Sequence, residues 1–116
     1  MNAKQLIAAE RARQIEVEGC SAEHDDKYSK GELLSAALSY RDAADEFSEL
    51  PATWPWPASS WKPKSRQRNL ERAGALYQAA ADAFERVYDY EGRNDALYHV
   101  ASCTILLDSI LKCSAK

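Results

Sequence analysis

All four prolines of the chain fall between Pro51 and Pro63, and all three tryptophans (Trp54, Trp56, Trp61) lie among them. Proline cannot sit inside a helix without removing a hydrogen bond and clashing with the preceding turn. The segments on either side are therefore free to be helical, and their apolar residues recur at helical spacing with no convincing alternation of a strand. This pattern predicts an all-α fold: a small four-helix bundle with a long Pro/Trp-rich crossover between helices 2 and 3. At 116 residues the chain reads as a single helical domain, 1–116.

Helix 1 is expected from about Ala3 to Glu18. Asn2 and Gln5 fit a capping box, and Gly19 fits the left-handed residue beyond a helix end. Ile7, Arg11, Gln14 and Glu18 share one face, which is either solvated or turned to a ligand or buried partner. A polar linker, 20–29, follows. Ser29 to Glu32 repeats the capping-box pattern and opens helix 2, expected to run to about Glu49 with Leu33, Ala37, Tyr40, Ala44 and Phe47 as its stripe; Pro51 then ends it. Helix 3 is expected from an N-cap at Ser65 to about Tyr90, closed by Glu91-Gly92. Asn94 would cap helix 4, whose inner stripe is Leu97, Val100, Ala101, Thr104, Leu107 and Leu111. Cys103, Ile105, Leu106 and Ile110 make a second apolar side, which predicts a homo-oligomer formed through helix 4.

The net charge of −3 argues against general nucleic-acid binding, which needs an excess of Lys and Arg. Cys20, Cys103 and Cys113 are odd in number and lack metal-ligand spacing, which favours a reducing compartment over a disulfide framework or zinc site. The N-terminus lacks the apolar stretch of a signal peptide, and the run Val100–Leu111 is too short to span a membrane. A cytoplasmic protein with no membrane partner is the expectation. No nucleophile elbow, phosphate-cradling glycine loop or zinc-protease motif is present, so no catalytic residue, metal or cofactor is assigned.

Three constellations could carry chemistry. Lys62, Lys64, Arg66, Arg68 and Arg72 crowd the start of helix 3 beside Trp56 and Trp61, where unpaired backbone N–H groups attract anions and indole faces can stack a base. The alternative is a tryptophan lid over the core with solvated cations. His24-Asp25-Asp26 could ligate a divalent metal or orient the imidazole as a base, or form a turn in which Asp25 or Asp26 accepts backbone N–H bonds. Glu46-x-x-Glu49 and Asp82-x-x-Glu85 could face one another and hold magnesium, the logic of MazG-type nucleotide pyrophosphohydrolases.

Glu10-Arg11-Ala12-Arg13-Gln14, Glu23-His24-Asp25-Asp26, Gly31-Glu32-Leu33, Trp54-Pro55-Trp56, Trp61-Lys62-Pro63-Lys64 and the run Arg68 to Leu76 occur in this order. The combination resembles a family of small proteins of tailed phages and prophages, over about residues 8–86. Members often carry Trp where this chain has Cys20. The resemblance implies a phage protein acting in the cytoplasm of an infected bacterial host. Small helical phage proteins of this size commonly sequester nucleotide signals of host defence or block a host enzyme. The expected function is thus counter-defence by non-catalytic binding of a nucleotide or other anionic small molecule. Arg66, Arg68 and the helix 3 start would hold phosphate, helped by Lys62, Lys64 and Arg72. Trp61 or Trp56 would stack a base; Arg11 and Gln14, with His24, Asp25 and Asp26, would fix ribose or a second phosphate. A magnesium-dependent MazG-like hydrolase and an inhibitor of a host protein are the alternatives.

Overall fold

The computed structural model of the protein describes residues 1–17 and 30–114. It is an all-α four-helix bundle with no strand among the described residues: α1 (Ala3–Glu16), α2 (Lys30–Asp42), α3 (Arg66–Arg86) and α4 (Tyr90–Ser114), with one 3-10 turn at Ala58–Ser60 in the crossover. Helix α3 touches each of the other three, and α1 also reaches α4. Its central place follows from composition. Ala73, Ala75, Ala79, Ala80, Ala81 and Ala83 are all buried, so neighbouring helices approach its backbone closely on several sides.

The local signals at helix starts are realised. Asn2 Oδ1 accepts from Gln5 N at 2.8 Å while Asn2 N donates to Gln5 Oε1 at 2.9 Å, closing the capping box. Ser65 Oγ accepts from Arg68 N at 3.2 Å as the N-cap of α3. Helix α1 ends at Glu16, two residues before the expected Glu18, with Val17 as its C-cap; the expected Gly19 and Ser29 caps lie outside the described residues.

Helix α2 stops at Asp42, seven residues short of the expected Glu49, and the cause is tertiary. The guanidinium of Arg66 donates to the carbonyls of Arg41 and Ala43, and Asn69 Nδ2 donates to Ala43 O at 3.1 Å. The carbonyls that a continuing helix would use are thus satisfied by the first turn of α3. Asp45 then folds the chain away, its carboxylate accepting from Phe47 N at 2.8 Å. Ala44 and Phe47, placed on the inner stripe by periodicity, are exposed, Phe47 at 82%.

The turn between α3 and α4 also departs from expectation. Gly92 is not the left-handed residue; Tyr88 is, at φ 62°. Asp89 N donates to Phe84 O at 2.9 Å and Tyr88 N to Glu85 O at 3.0 Å, the paired bonds of a Schellman ending. Asp89, rather than Asn94, caps α4, its carboxylate accepting from Gly92 N at 2.9 Å. Gly92 sits in the first turn of α4 because a Cβ there would lie 2.5 Å from the Phe84 ring.

Helix α4 buries Ala96, Cys103 and Leu107, with Val100 and Thr104 half-buried. The inner face is rotated from the expected stripe: Leu97 and Ala101 are exposed, whereas Cys103, assigned to the second side, is fully buried. Burial pushes the Cys103 thiol up to about 11. By length and composition alone the 24-residue helix Tyr90–Cys113 could cross a membrane, because an 18-residue window within it, longer than 100–111, has a mean hydropathy of 1.3; only 17% of that window is buried in the bundle.

Candidate functional site

The basic residues at the start of α3 are engaged by the fold. Arg66 terminates α2, as described. Arg68 donates to Glu71 Oε1 at 2.5 Å and to Glu10 Oε1 at 3.0 Å, joining α3 to α1. Arg72 lies over the Tyr40 ring, 5.6 Å from its centroid, and donates to Lys62 O at 3.1 Å. Lys62 and Lys64 are exposed. The backbone beside them is occupied, Lys64 N donating to Asn69 Oδ1 at 2.7 Å and Asn69 Nδ2 to Lys64 O at 2.9 Å.

The tryptophans pack mainly on one another and on α2. Tyr40 and Trp61 are 5.0 Å apart between centroids, Trp54 and Trp61 5.0 Å, and Trp54 and Trp56 5.2 Å. Each indole N–H is used: Trp56 donates to Glu32 Oε2 at 3.1 Å, Trp61 to Ser48 O at 3.1 Å, and Trp54 to Ser60 Oγ at 3.2 Å. Aromatic clustering with satisfied N–H groups is how half-buried indoles hold a loop on a core. The expected convergence of the helix 1 end, the His24-Asp25-Asp26 turn and the Trp loop involves His24, Asp25 and Asp26, which lie outside the described residues.

Behind the helix 3 start lies a polar layer that periodicity did not reveal. Glu10 is buried, and Arg13 reaches its two oxygens from the next turn of α1 at 2.7 and 2.9 Å. With Arg68 and the buried Glu71, two carboxylates and two guanidiniums meet here among the described residues, and Gln67 Nε2 donates to Glu71 Oε2 at 3.0 Å. Burial pushes the Glu10 carboxyl up, but hydrogen bonds and charge from Arg13 and Arg68 outweigh it and hold the group below its ordinary value. For Arg68, burial acts downward, and the bonds and charges of Glu71 and Glu10 carry it above its ordinary value. Gln14, one turn beyond Glu10, is buried with its Oε1 unpartnered among the described residues.

A cleft opens on the other flank of α1. Lys4, Ile7, Ala8 and Arg11 line it from α1, Gln78 from α3, and Val100 and Thr104 from α4, around a volume of about 270 Å³. Close packing sets its floor, because Ile7 lies so near Gly74 that a Cβ there would meet it at 2.7 Å. Lys4, Ile7, Ala8 and Arg11 sit at helical spacing on one side of α1, and side chains lean toward the helix N-terminus. Arg11 is 12% exposed at its side chain, and a guanidinium nitrogen stands 3.9 Å from Asp82 Oδ2. Asp82 also accepts from Gln78 Nε2 at 3.0 Å. Of the expected set, Arg11 is the residue that lines the cleft among the described residues. Lys4, Gln78 and Thr104 escaped sequence reasoning, since each is an ordinary helix residue until three helices are assembled.

The four-carboxylate arrangement is not formed. Glu46 and Glu49 follow the end of α2 and are exposed, so the spacing that would align them on a helix does not apply. Asp82 is beside Arg11, and Glu85 accepts from Arg93 at 3.1 Å. No group of three or more His, Cys, Asp or Glu able to hold a metal ion occurs among the described residues. Comparison of the chain with protein-family models, curated proteins and solved structures finds no match.

Proposed function

We propose that the protein binds a small anionic molecule of the nucleotide class, without turnover, in the cleft between α1, α3 and α4. The observation that carries this reading is the placement of Arg11 inside an apolar-floored cleft with Lys4 at its rim. Arg11 and Lys4 bring two cations to the cleft, which suits an anion, and Ile7, Ala8 and Val100 offer an apolar bed for a base or similar flat body. Gln78 and Thr104 supply the polar groups that fix orientation. A volume of about 270 Å³ is at the small end for ligand sites, which favours a mononucleotide held by part of its structure over a dinucleotide. The likeness of the sequence to small phage proteins supports a role in infection, where sequestering a host signalling nucleotide would require affinity and no chemistry.

The test is a thermal-shift screen with mononucleotides, cyclic mononucleotides and inorganic pyrophosphate. A ligand at about 100 times its Kd should stabilise the fold by about 2.7 kcal/mol. Arg11→Met should weaken binding about tenfold or more, since it removes a charge-assisted contact. No stabilisation by any of these anions would end the proposal, as would release of pyrophosphate from a bound triphosphate.

A further inference from the structure

We infer that the outer face of α4 is a self-association surface, on which a second copy of this chain docks antiparallel about a two-fold axis between Ala101 and Ser102. Glu91, Tyr98, Ile105 and Lys112 follow one another at intervals of seven along α4. Seven residues make two helical turns, so these four side chains form one line along the helix. All four face solvent, Tyr98 at 72%, Ile105 at 67% and the Lys112 side chain at 77%. An aromatic and a β-branched residue exposed in the middle of a 25-residue helix leave an apolar stripe, flanked by Leu97 at 38% and Leu106 at 39%. Stripes of this kind mark contact surfaces.

The order of the line identifies the occupant. It begins with an acid and ends with a base, and its two apolar members lie between them. Turned end over end, the same line is its own complement: Glu91 meets Lys112 of the second copy, and Tyr98 meets Ile105. The small residues Ala101 and Ser102 fall at the crossing, where two helices come closest. The pairing is isologous, each contact occurring twice, as a two-fold dimer requires. A parallel arrangement would instead set Glu91 against Glu91 and Lys112 against Lys112. Lys112 already pairs with Asp108 on its own helix at 3.0 Å, so the interhelical Glu91 joins an existing acid at an exposed amine. The inner face of α4 stays on α3 through Ala96, Cys103 and Leu107, and docking needs no rearrangement of the bundle.

One helix face is a small interface, so dimerisation is expected in the micromolar range. Sedimentation equilibrium of the whole chain should give about twice 13.0 kDa at high concentration. Ile105→Glu should leave a monomer with unchanged helicity and melting. Glu91→Lys should raise the dimer Kd about tenfold by opposing two lysines at each end. The double variant Glu91→Lys/Lys112→Glu should restore it, which only the antiparallel register allows. A wild-type protein that stays monomeric would overturn the inference, whether or not it floats with lipid vesicles. So would a dimer that the charge swap fails to restore.

Discussion

Glu10→Gln is the perturbation whose size the structure allows to be worked out. The Glu10 side chain is 1% exposed and takes three hydrogen bonds, two from Arg13 and one from Arg68. Removing one member of a buried ion pair costs about 3–5 kcal/mol when the remaining charge is stranded. Here the stranding is partial: Arg13 and Arg68 are 34% and 35% exposed at their side chains, and Arg68 keeps Glu71. The expected loss is therefore about 2 kcal/mol. With an unfolding entropy of about 2.1 cal/mol/K per residue, that is a fall in Tm of about 8 °C for this chain. Calorimetry at neutral pH measures it directly. The pH dependence supplies an independent sign. The folded Glu10 carboxyl lies below its ordinary 4.5, so its stabilisation is complete above the unfolded value and is lost as pH falls through the folded one. The gap between wild type and variant should stay constant from neutral pH to about 5 and close in more acidic solution. A variant within about 0.5 kcal/mol of wild type at pH 7, or a gap that widens in acid, would refute the account of the polar layer.

Two further variants separate packing from binding. Gly74→Ala should gain about 1 kcal/mol of helix propensity but lose about 1–3 kcal/mol to the clash with Ile7, for a net lower Tm. In an Ile7→Ala background the same change should become stabilising, and equal effects in both backgrounds would show that Ile7 does not pack on that glycine. Arg66→Met should lower stability by about 1–2 kcal/mol, because the Arg41 carbonyl loses its guanidinium donor and Ala43 O is left with Asn69. Its affinity for a bound anion should be unchanged in isothermal titration, whereas a tenfold loss would return the site to the start of α3.

The architecture was legible where its cause is local. The Asn2/Gln5 box and the Ser65 cap each depend on residues within three positions, so sequence and structure agree on them. The end of α2 was not legible, because the groups that cap it, Arg66 and Asn69, are more than twenty positions along the chain. The α3–α4 turn misled for a different reason: glycine is the usual left-handed residue, yet here Gly92 is needed for its missing Cβ against Phe84, and Tyr88 takes the positive φ. The same limit applies to the site. Clustered cations at residues 62–72 read as an anion surface, but charge density along a chain does not say which cations already have partners. Arg68 finds Glu10, fifty-eight positions away, and Arg66 finds two carbonyls. Arg11 was legible as a member of a mixed face with Ile7, Gln14 and Glu18 that could be solvated or turned to a ligand; the cleft around it needed three helices in place.

The most direct test of the anion cleft is a proton–nitrogen NMR titration with a cyclic mononucleotide and, separately, with pyrophosphate. Binding in the cleft should move the Arg11 Nε–H, the Gln78 side-chain amide and the Thr104 backbone N–H together, with one shared Kd. It should leave the indole N–H signals of Trp56 and Trp61 in place. Shifts concentrated instead at those indoles and at the backbone of Lys62 and Lys64 would contradict the assignment and place the ligand on the crossover.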